Sequence, residues 1–219
     1  GTLGDLVFLA ANSTKILEGG WFPLAFGAFV YLVLSTWKKG RELLHEKLDT
    51  GAITLRDFIA AIETPDMITV PGTAIFMTPY HDHVPHALLH NLKHNKVLHE
   101  RVVMAKVSVA PVPRIPDAQR VVVERLSHRF YRVQIFVGFV EQPDVPAALE
   151  WCAEQGLDIE PMATSYFLGR ETVVPQVGAA MPYWREKLFA ALYRNARTAA
   201  DFFRLPPNQV VELGTRVVL

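Results

Sequence analysis

The chain has 219 residues, 22 of them Lys or Arg and 22 Asp or Glu, and half of its residues are hydrophobic. This balance excludes a broad field of the kind that gathers nucleic acid, and the apolar content excludes a disordered chain. The one cysteine, Cys152, excludes an internal disulfide framework and fits a reducing cytosol.

In chain order, Leu6 to Ala11 is apolar but too short to cross a bilayer. It reads as a free tail or as the end of a preceding transmembrane helix, with Asn12 to Gly20 as a loop. The chain starts with Gly and carries no leader, so it is expected to be a piece of a longer protein. Trp21 to Trp37 is then 17 residues without a charge. At a helical rise that run reaches about 25 Å, against a hydrocarbon core of about 30 Å. Pro23 sits in the first turn, where its missing N–H costs nothing. Trp21 and Trp37 bracket the run as interfacial anchors, and Lys38-Lys39-Gly40-Arg41 follows. The expectation is a transmembrane helix over 21–37, with a buried core helix as the alternative. Lys15 alone precedes it closely, whereas Lys38, Lys39, Arg41 and Lys47 follow, which places residues 38 onward in the cytoplasm.

Glu42 to Leu48 and Thr54 to Ile62 have helical apolar spacing, broken at Asp49-Thr50-Gly51 and stopped at Thr64-Pro65-Asp66. Strand patterns follow at Thr73–Met77, Arg101–Val109, Val121–Leu126, Phe130–Val140, Tyr166–Val174 and Asn208–Leu219. Helices are expected after Pro85, with Leu88, Leu89 and Leu92 on one face, and after Asp144, with Val145, Ala148, Leu149 and Cys152 inward and Gly156 as the stop. A third begins at Pro182 with a stripe of Trp184, Leu188, Ala191, Leu192, Asn195 and Ala199. The pattern predicts an α/β (or α+β) domain with a mixed sheet of about five or six strands. The expected organisation is 1–20 as the end of one membrane helix and a loop, 21–37 as the last such helix, 38–66 as juxtamembrane helices, and 67–219 as a cytoplasmic α/β domain.

Several blocks of residues resemble the Kup family of potassium uptake permeases. Gly19-Gly20-Trp21-Phe22-Pro23-Leu24 leading to Thr36-Trp37-Lys38-Lys39-Gly40-Arg41 is similar to that family's last transmembrane helix. Val70-Pro71-Gly72-Thr73-Ala74, the run from Val84 to Asn95, and Val97-Leu98-His99-Glu100-Arg101 resemble its cytoplasmic C-terminal domain. So do Tyr166-Phe167-Leu168-Gly169-Arg170-Glu171 and Phe202-Phe203 with Leu205-Pro206 and Asn208. The resemblance implies a multi-pass permease of the plasma (inner) membrane that takes up K⁺ with H⁺ and whose ion path lies in earlier helices. No ion-transport residue carries over onto this chain, and the uncharged helix 21–37 reads as an anchor. The rival reading is a self-standing, single-span, membrane-anchored α/β ligand-binding module.

Six of the eight histidines lie between His81 and His99. His86, His90 and His94 recur one helical turn apart, a spacing that suits metal when a third ligand converges. It suits equally a solvated face with His90 and Asn91 bonded to neighbouring loops, and no metal site is predicted. Imidazole titrates near neutrality, so His90 and His94 are also candidate pH-sensing residues. Gly72, Arg101 and Arg170 near strand ends leave a small nucleotide effector open, although no phosphate-binding motif is present. Arginines in structural ion pairs with Glu100 and Glu171 are the plainer reading. No catalytic residue or cofactor is predicted, and Cys152 reads as core. The partners expected are K⁺, H⁺ and membrane lipid, with a homodimer left open and no nucleic acid.

Overall fold

The computed structural model describes residues 20–49, 53–62, 67–176, 180–196 and 198–218. The membrane-helix end and loop expected over residues 1–19, the break at Thr50-Gly51 and the stop at Thr64-Pro65-Asp66 lie outside these. The chain divides into two compact units, one of residues 1–47, 173–195 and 218–219, the other of 48–172 and 196–217.

The first unit is built on α1 (Trp21–Asp49), a continuous 29-residue helix. The stretch from Glu42 to Leu48 is therefore the end of α1 and not a separate helix. Its amino-terminal half presents large apolar side chains outward, with Phe22 63%, Phe29 63% and Tyr31 75% exposed. Among the described residues no helix is long and apolar enough to cross a membrane. The uncharged run ends after 17 residues and is diluted by Gly27, Ser35 and Thr36.

Further along, α1 is buried. Gly40, Leu43 and Leu44 are covered, Trp37 packs on Phe189 at 5.7 Å and on Tyr193 at 6.2 Å, and Arg185 donates to Thr36 Oγ1 (3.0 Å) and Ser35 Oγ (3.3 Å). Trp37 is thus a packing residue against the helix Tyr183–Arg194. In that helix the buried positions are Glu186, Phe189 and Ala190, while Trp184 is 54% exposed. The stripe expected from Trp184 is rotated, because the glycine gap at Gly40 accepts the Phe189 ring and the Glu186 carboxylate accepts the Gln176 N–H (2.9 Å).

The second unit holds a six-stranded sheet in the order β3-β4-β2-β1-β5-β6. Its strands are β1 (Ile68–Met77), β2 (Val97–Ala110), β3 (Val121–Arg125), β4 (Phe130–Gly138), β5 (Thr164–Val174) and β6 (Val210–Val218). β1 pairs parallel with β2 from Ile68↔Val97 to Met77↔Ala105, and with β5 from Thr73↔Thr164 to Phe76↔Phe167. β4 runs parallel to β2, and β3 antiparallel to β4. The chain winds outward from β1 through β2 to β4, then crosses to the other side of β1 for β5, so the sheet reverses its order beside β1.

Both faces are covered, as runs such as Ala74-Ile75-Phe76-Met77 demand of parallel strands. On one face Ile75, Val103, Ala105, Val133 and Ile135 pack with Val145, Ala148, Leu149 and Cys152 of α4 (Val145–Glu150) and the 3-10 turn after it. On the other, Ala74, Phe76, Val102, Met104 and Phe130 pack with Leu55 and Phe58 of α2 (Leu55–Ile62) and Ala87 and Leu88 of α3 (His86–Asn95). α4 starts where expected: Asp144 Oδ1 accepts from Ala147 N at 3.1 Å, and Gly156 stops the following turn at φ 85°. Gly72, at φ 95°, takes up a bulge in β1 where a Cβ would meet Ala163 O at 2.5 Å. Of the remaining helices, α5 is Tyr183–Arg194 and α6 is Ala199–Phe202.

Candidate functional site

The candidate residues of α3 lie on one helix, with different neighbours. Asn91 is buried: its Nδ2 donates to Val97 O (3.3 Å) and its Oδ1 accepts from Asn95 Nδ2 (2.8 Å), tying the end of α3 to the start of β2. The rings of His90 and His94 lie 5.8 Å apart between centres, tilted by 35°, and His90 Nε2 lies 3.5 Å from Thr215 Oγ1 on β6. Burial, and then the positive neighbours His94, His86 and Lys93, hold His90 below the usual imidazole range. His86 Nε2 faces Leu48 O at 3.2 Å. His99, which packs edge-on against Phe167 with its Nδ1 unpartnered, is also lowered by burial. Among the described residues no group of three His, Cys, Asp or Glu converges as a metal site would require.

The sheet keeps Arg101 and Arg170 apart. Thr73 of β1 is level with both Arg101 and Thr164, and Arg170 lies six residues beyond Thr164, about 20 Å along the sheet. Arg101 donates through Nη1 to Asp158 O, and Arg170 pairs with Glu212 at 3.0 Å, bridging β5 to β6. Glu100 accepts from Gly72 N at 3.3 Å. Arg101 thus meets the Asp158 carbonyl, and Arg170 stands in an ion pair with Glu212.

A cleft that sequence reasoning missed opens between α2, the loop at Asp82 and the β3–β4 end. It encloses about 700 Å³ and is lined by Arg56, Asp57, Asp82, Glu124, Arg125 and Arg132, with apolar Leu55 and Ile59 beneath. Arg132 is its hub, donating to Glu124 Oε2 (2.7 Å) and Asp82 Oδ1 (3.2 Å), while its buried Nε has no partner. His81, hydrogen-bonded to Asp82, and the Arg132 charge hold the Asp82 carboxyl below its usual range. Three guanidinium groups against three carboxylates make the cleft charge-balanced, able to hold a polar ligand by hydrogen bonds but supplying no nucleophile–base pair. In the sequence Arg132 is only the polar member of an alternating strand, and Asp82 lies fifty residues away; pairing of β3 with β4 is the one available hint, since it sets Glu124 level with Arg132.

Comparison with known proteins bears on both units. The K⁺ potassium transporter C-terminal domain matches residues 71–219, and the K⁺ potassium transporter integral membrane domain matches residues 2–42. A probable potassium transport system protein Kup 3 of Dechloromonas aromatica is 56% identical over 98% of this chain and 34% of its own length. Kup proteins of Aromatoleum aromaticum and of an Azoarcus species are each 54% identical over the same shares. The chain thus spans about a third of the length of the curated relatives it matches. No solved structure matches. With the C-terminal domain aligned from the bulge of β1 to the last residue, the chain belongs to the Kup family of potassium transporters.

Proposed function

We propose that the chain is the C-terminal part of a K⁺/H⁺ symporter that takes up potassium across the plasma (inner) membrane, and not an enzyme. The observation that carries this is the junction within α1. The membrane-domain match ends at residue 42, within the stretch where the helix passes from outward-facing Trp21, Phe22, Phe26 and Phe29 to buried Thr36, Gly40, Leu43 and Leu44. We read the first half of α1 as the last helix of a membrane domain. Packed among other helices, it tolerates Gly27, Ser35 and Thr36, which leave it short of the hydropathy of an independent span. The basic cluster Lys38-Lys39-Gly40-Arg41 supports a cytoplasmic side for residues 38 onward. The α/β domain then stands in the cytoplasm as a regulatory or stabilising tail, and its charge-balanced cleft around Arg132 is where an effector would sit.

The test is uptake of K⁺ or its analogue Rb⁺ by the full-length transporter in bacteria lacking other potassium systems. The intact protein should restore growth at low K⁺, with uptake that falls when the proton gradient is collapsed. Deleting residues 67–219 should change the rate or its regulation. Failure of the intact, membrane-inserted protein to move either ion would overturn the reading.

A further inference from the structure

The first turn of α5 carries two large aromatic rings that the chain leaves uncovered. Tyr183 and Trp184 are both exposed, while Glu186, Phe189 and Ala190 behind them are buried. No charged residue stands between Glu171 and Arg185, so the approach to this turn is as apolar as the turn itself.

The level of the turn is fixed within its own unit, which joins residues 1–47 with 173–195. Arg185, the residue after Trp184, donates to Thr36 Oγ1 and Ser35 Oγ. One turn on, Phe189 fills the gap at Gly40 and packs on Trp37. Glu186 holds the preceding segment by accepting from Gln176 N. Tyr183 and Trp184 are thereby kept within about one helical turn, roughly 5 Å, of the level of Ser35 and Thr36.

Ser35 and Thr36 close the uncharged run Trp21–Trp37. On the reading of that run as the last membrane helix, on which this inference rests, they lie at the cytoplasmic boundary of the hydrocarbon. The interfacial layer beyond it is roughly 5–7 Å deep, so the first turn of α5 falls beside or inside it. Trp and Tyr favour that layer because it accommodates both an apolar ring and a hydrogen-bonding edge. The neighbouring cations suit it as well. Lys187 sits over the Tyr183 ring at 4.6 Å, and Lys38, Lys39 and Arg41 are exposed on α1. Glu42, 3.7 Å from Lys39, offsets one of these charges, and the remainder is left to attract anionic headgroups.

We propose that the first turn of α5, through Tyr183 and Trp184, is a second membrane contact of this chain, seated in the phospholipid headgroup layer at the cytoplasmic end of α1. α5 is then a brace, joined to α1 by Phe189 and Trp37 on one side and resting on lipid on the other.

The test is spin labelling of the full-length transporter, its other cysteines replaced, in nanodiscs of phosphatidylethanolamine and phosphatidylglycerol. Trp184→Cys, Tyr183→Cys, Leu34→Cys and Met162→Cys are labelled singly; all four positions are exposed. Each label is read for collision with oxygen, which concentrates in lipid, and with a nickel chelate, which stays in water. Met162→Cys should be open to nickel and Leu34→Cys closed to it. Trp184→Cys and Tyr183→Cys should favour oxygen over nickel, at a depth between those two. Nickel access at both Trp184→Cys and Tyr183→Cys equal to that at Met162→Cys, with Leu34→Cys closed, overturns the proposal and leaves the reading of α1 standing. Labels at these two positions that neither reagent reaches are covered by protein and overturn it as well. Nickel access at Leu34→Cys overturns the reading of α1 and this inference together.

Discussion

Gly40 of α1 and Phe189 of α5 touch so closely that a Cβ on Gly40 would lie 2.3 Å from the phenyl ring. Phe189 is fully buried and also packs on Trp37 and Tyr193, so the ring cannot swing aside freely. Gly40→Ala should cost about 1–3 kcal/mol through overpacking, read as a lower melting temperature with altered tryptophan fluorescence. Gly27→Ala, where nothing lies within 4 Å, should leave the fluorescence unchanged and should not lower the melting temperature, since Ala is the better helix former by about 1 kcal/mol.

Glu141 pins the proline-rich connection after β2. Its Oε2 accepts from Gly138 N (2.6 Å) and Ile115 N (3.2 Å), and its Oε1 from Arg120 Nη2 (3.0 Å). Arg120 first, then the Gly138 N–H, lowers its carboxyl to about 2. The folded value lies below the ordinary 4.5, so the stabilisation is present above 4.5 and fades as pH falls toward 2. The melting-temperature gap between the native chain and Glu141→Gln should therefore be full at neutral pH and shrink through that acid window. A gap that stays constant would assign the effect to shape and not to charge.

Gln155 caps the β3 edge: its Oε1 accepts from Val123 N (2.9 Å) and its Nε2 donates to Val121 O (2.7 Å). Gln155→Ala should uncover both groups at a cost of about 1 kcal/mol. Amide exchange at Val123 should quicken, and the variant should aggregate more readily, since an uncapped edge recruits other strands. Exchange measured by mass spectrometry separates this local opening from global unfolding.

His90 is held below 6.5 by burial and by His94, His86 and Lys93 on α3, with Thr215 facing it from β6. The folded state therefore resists protonation; stability is present while the ring is neutral and is lost as pH falls below 6.5. His90→Gln should flatten its share of that loss as pH falls through and below 6.5, leaving the share due to His99. If the His90–His94 pair senses pH, the double change His90→Gln and His94→Gln should also shift the pH profile of potassium uptake by the full-length transporter; an unmoved profile would leave these histidines structural.

The local signals were legible in the sequence. Asp144, Val145, Ala148, Leu149, Cys152 and Gly156 announced α4 and its end because capping and period are short-range properties. The alternation of Val133, Ile135 and Val137 announced β4 for the same reason. What failed depended on neighbours distant in sequence. The buried side of α5 is chosen by Gly40, about 150 residues earlier, so Phe189 turns inward and Trp184 does not. The cleft needed Asp82, Glu124 and Arg132 brought together by strand pairing. Arg101 and Arg170, read near strand ends, lie several residues inside β2 and β5, and parallel registration with β1 sets them about 20 Å apart along the sheet.

The central position of β1 also sets an order of events during synthesis. Its first partner, β2, follows within thirty residues, while its second, β5, begins at Thr164, nearly ninety residues after Met77 leaves the ribosome. At roughly 5–20 residues per second, one side of Ala74-Ile75-Phe76 waits on the order of ten seconds for Ser165, Tyr166 and Phe167 to cover it. During that interval the half-sheet β1-β2-β4 has an open, wholly apolar flank. A growing chain of this protein is therefore most in need of a chaperone after β4 has emerged and before Phe167 can stack on Phe76.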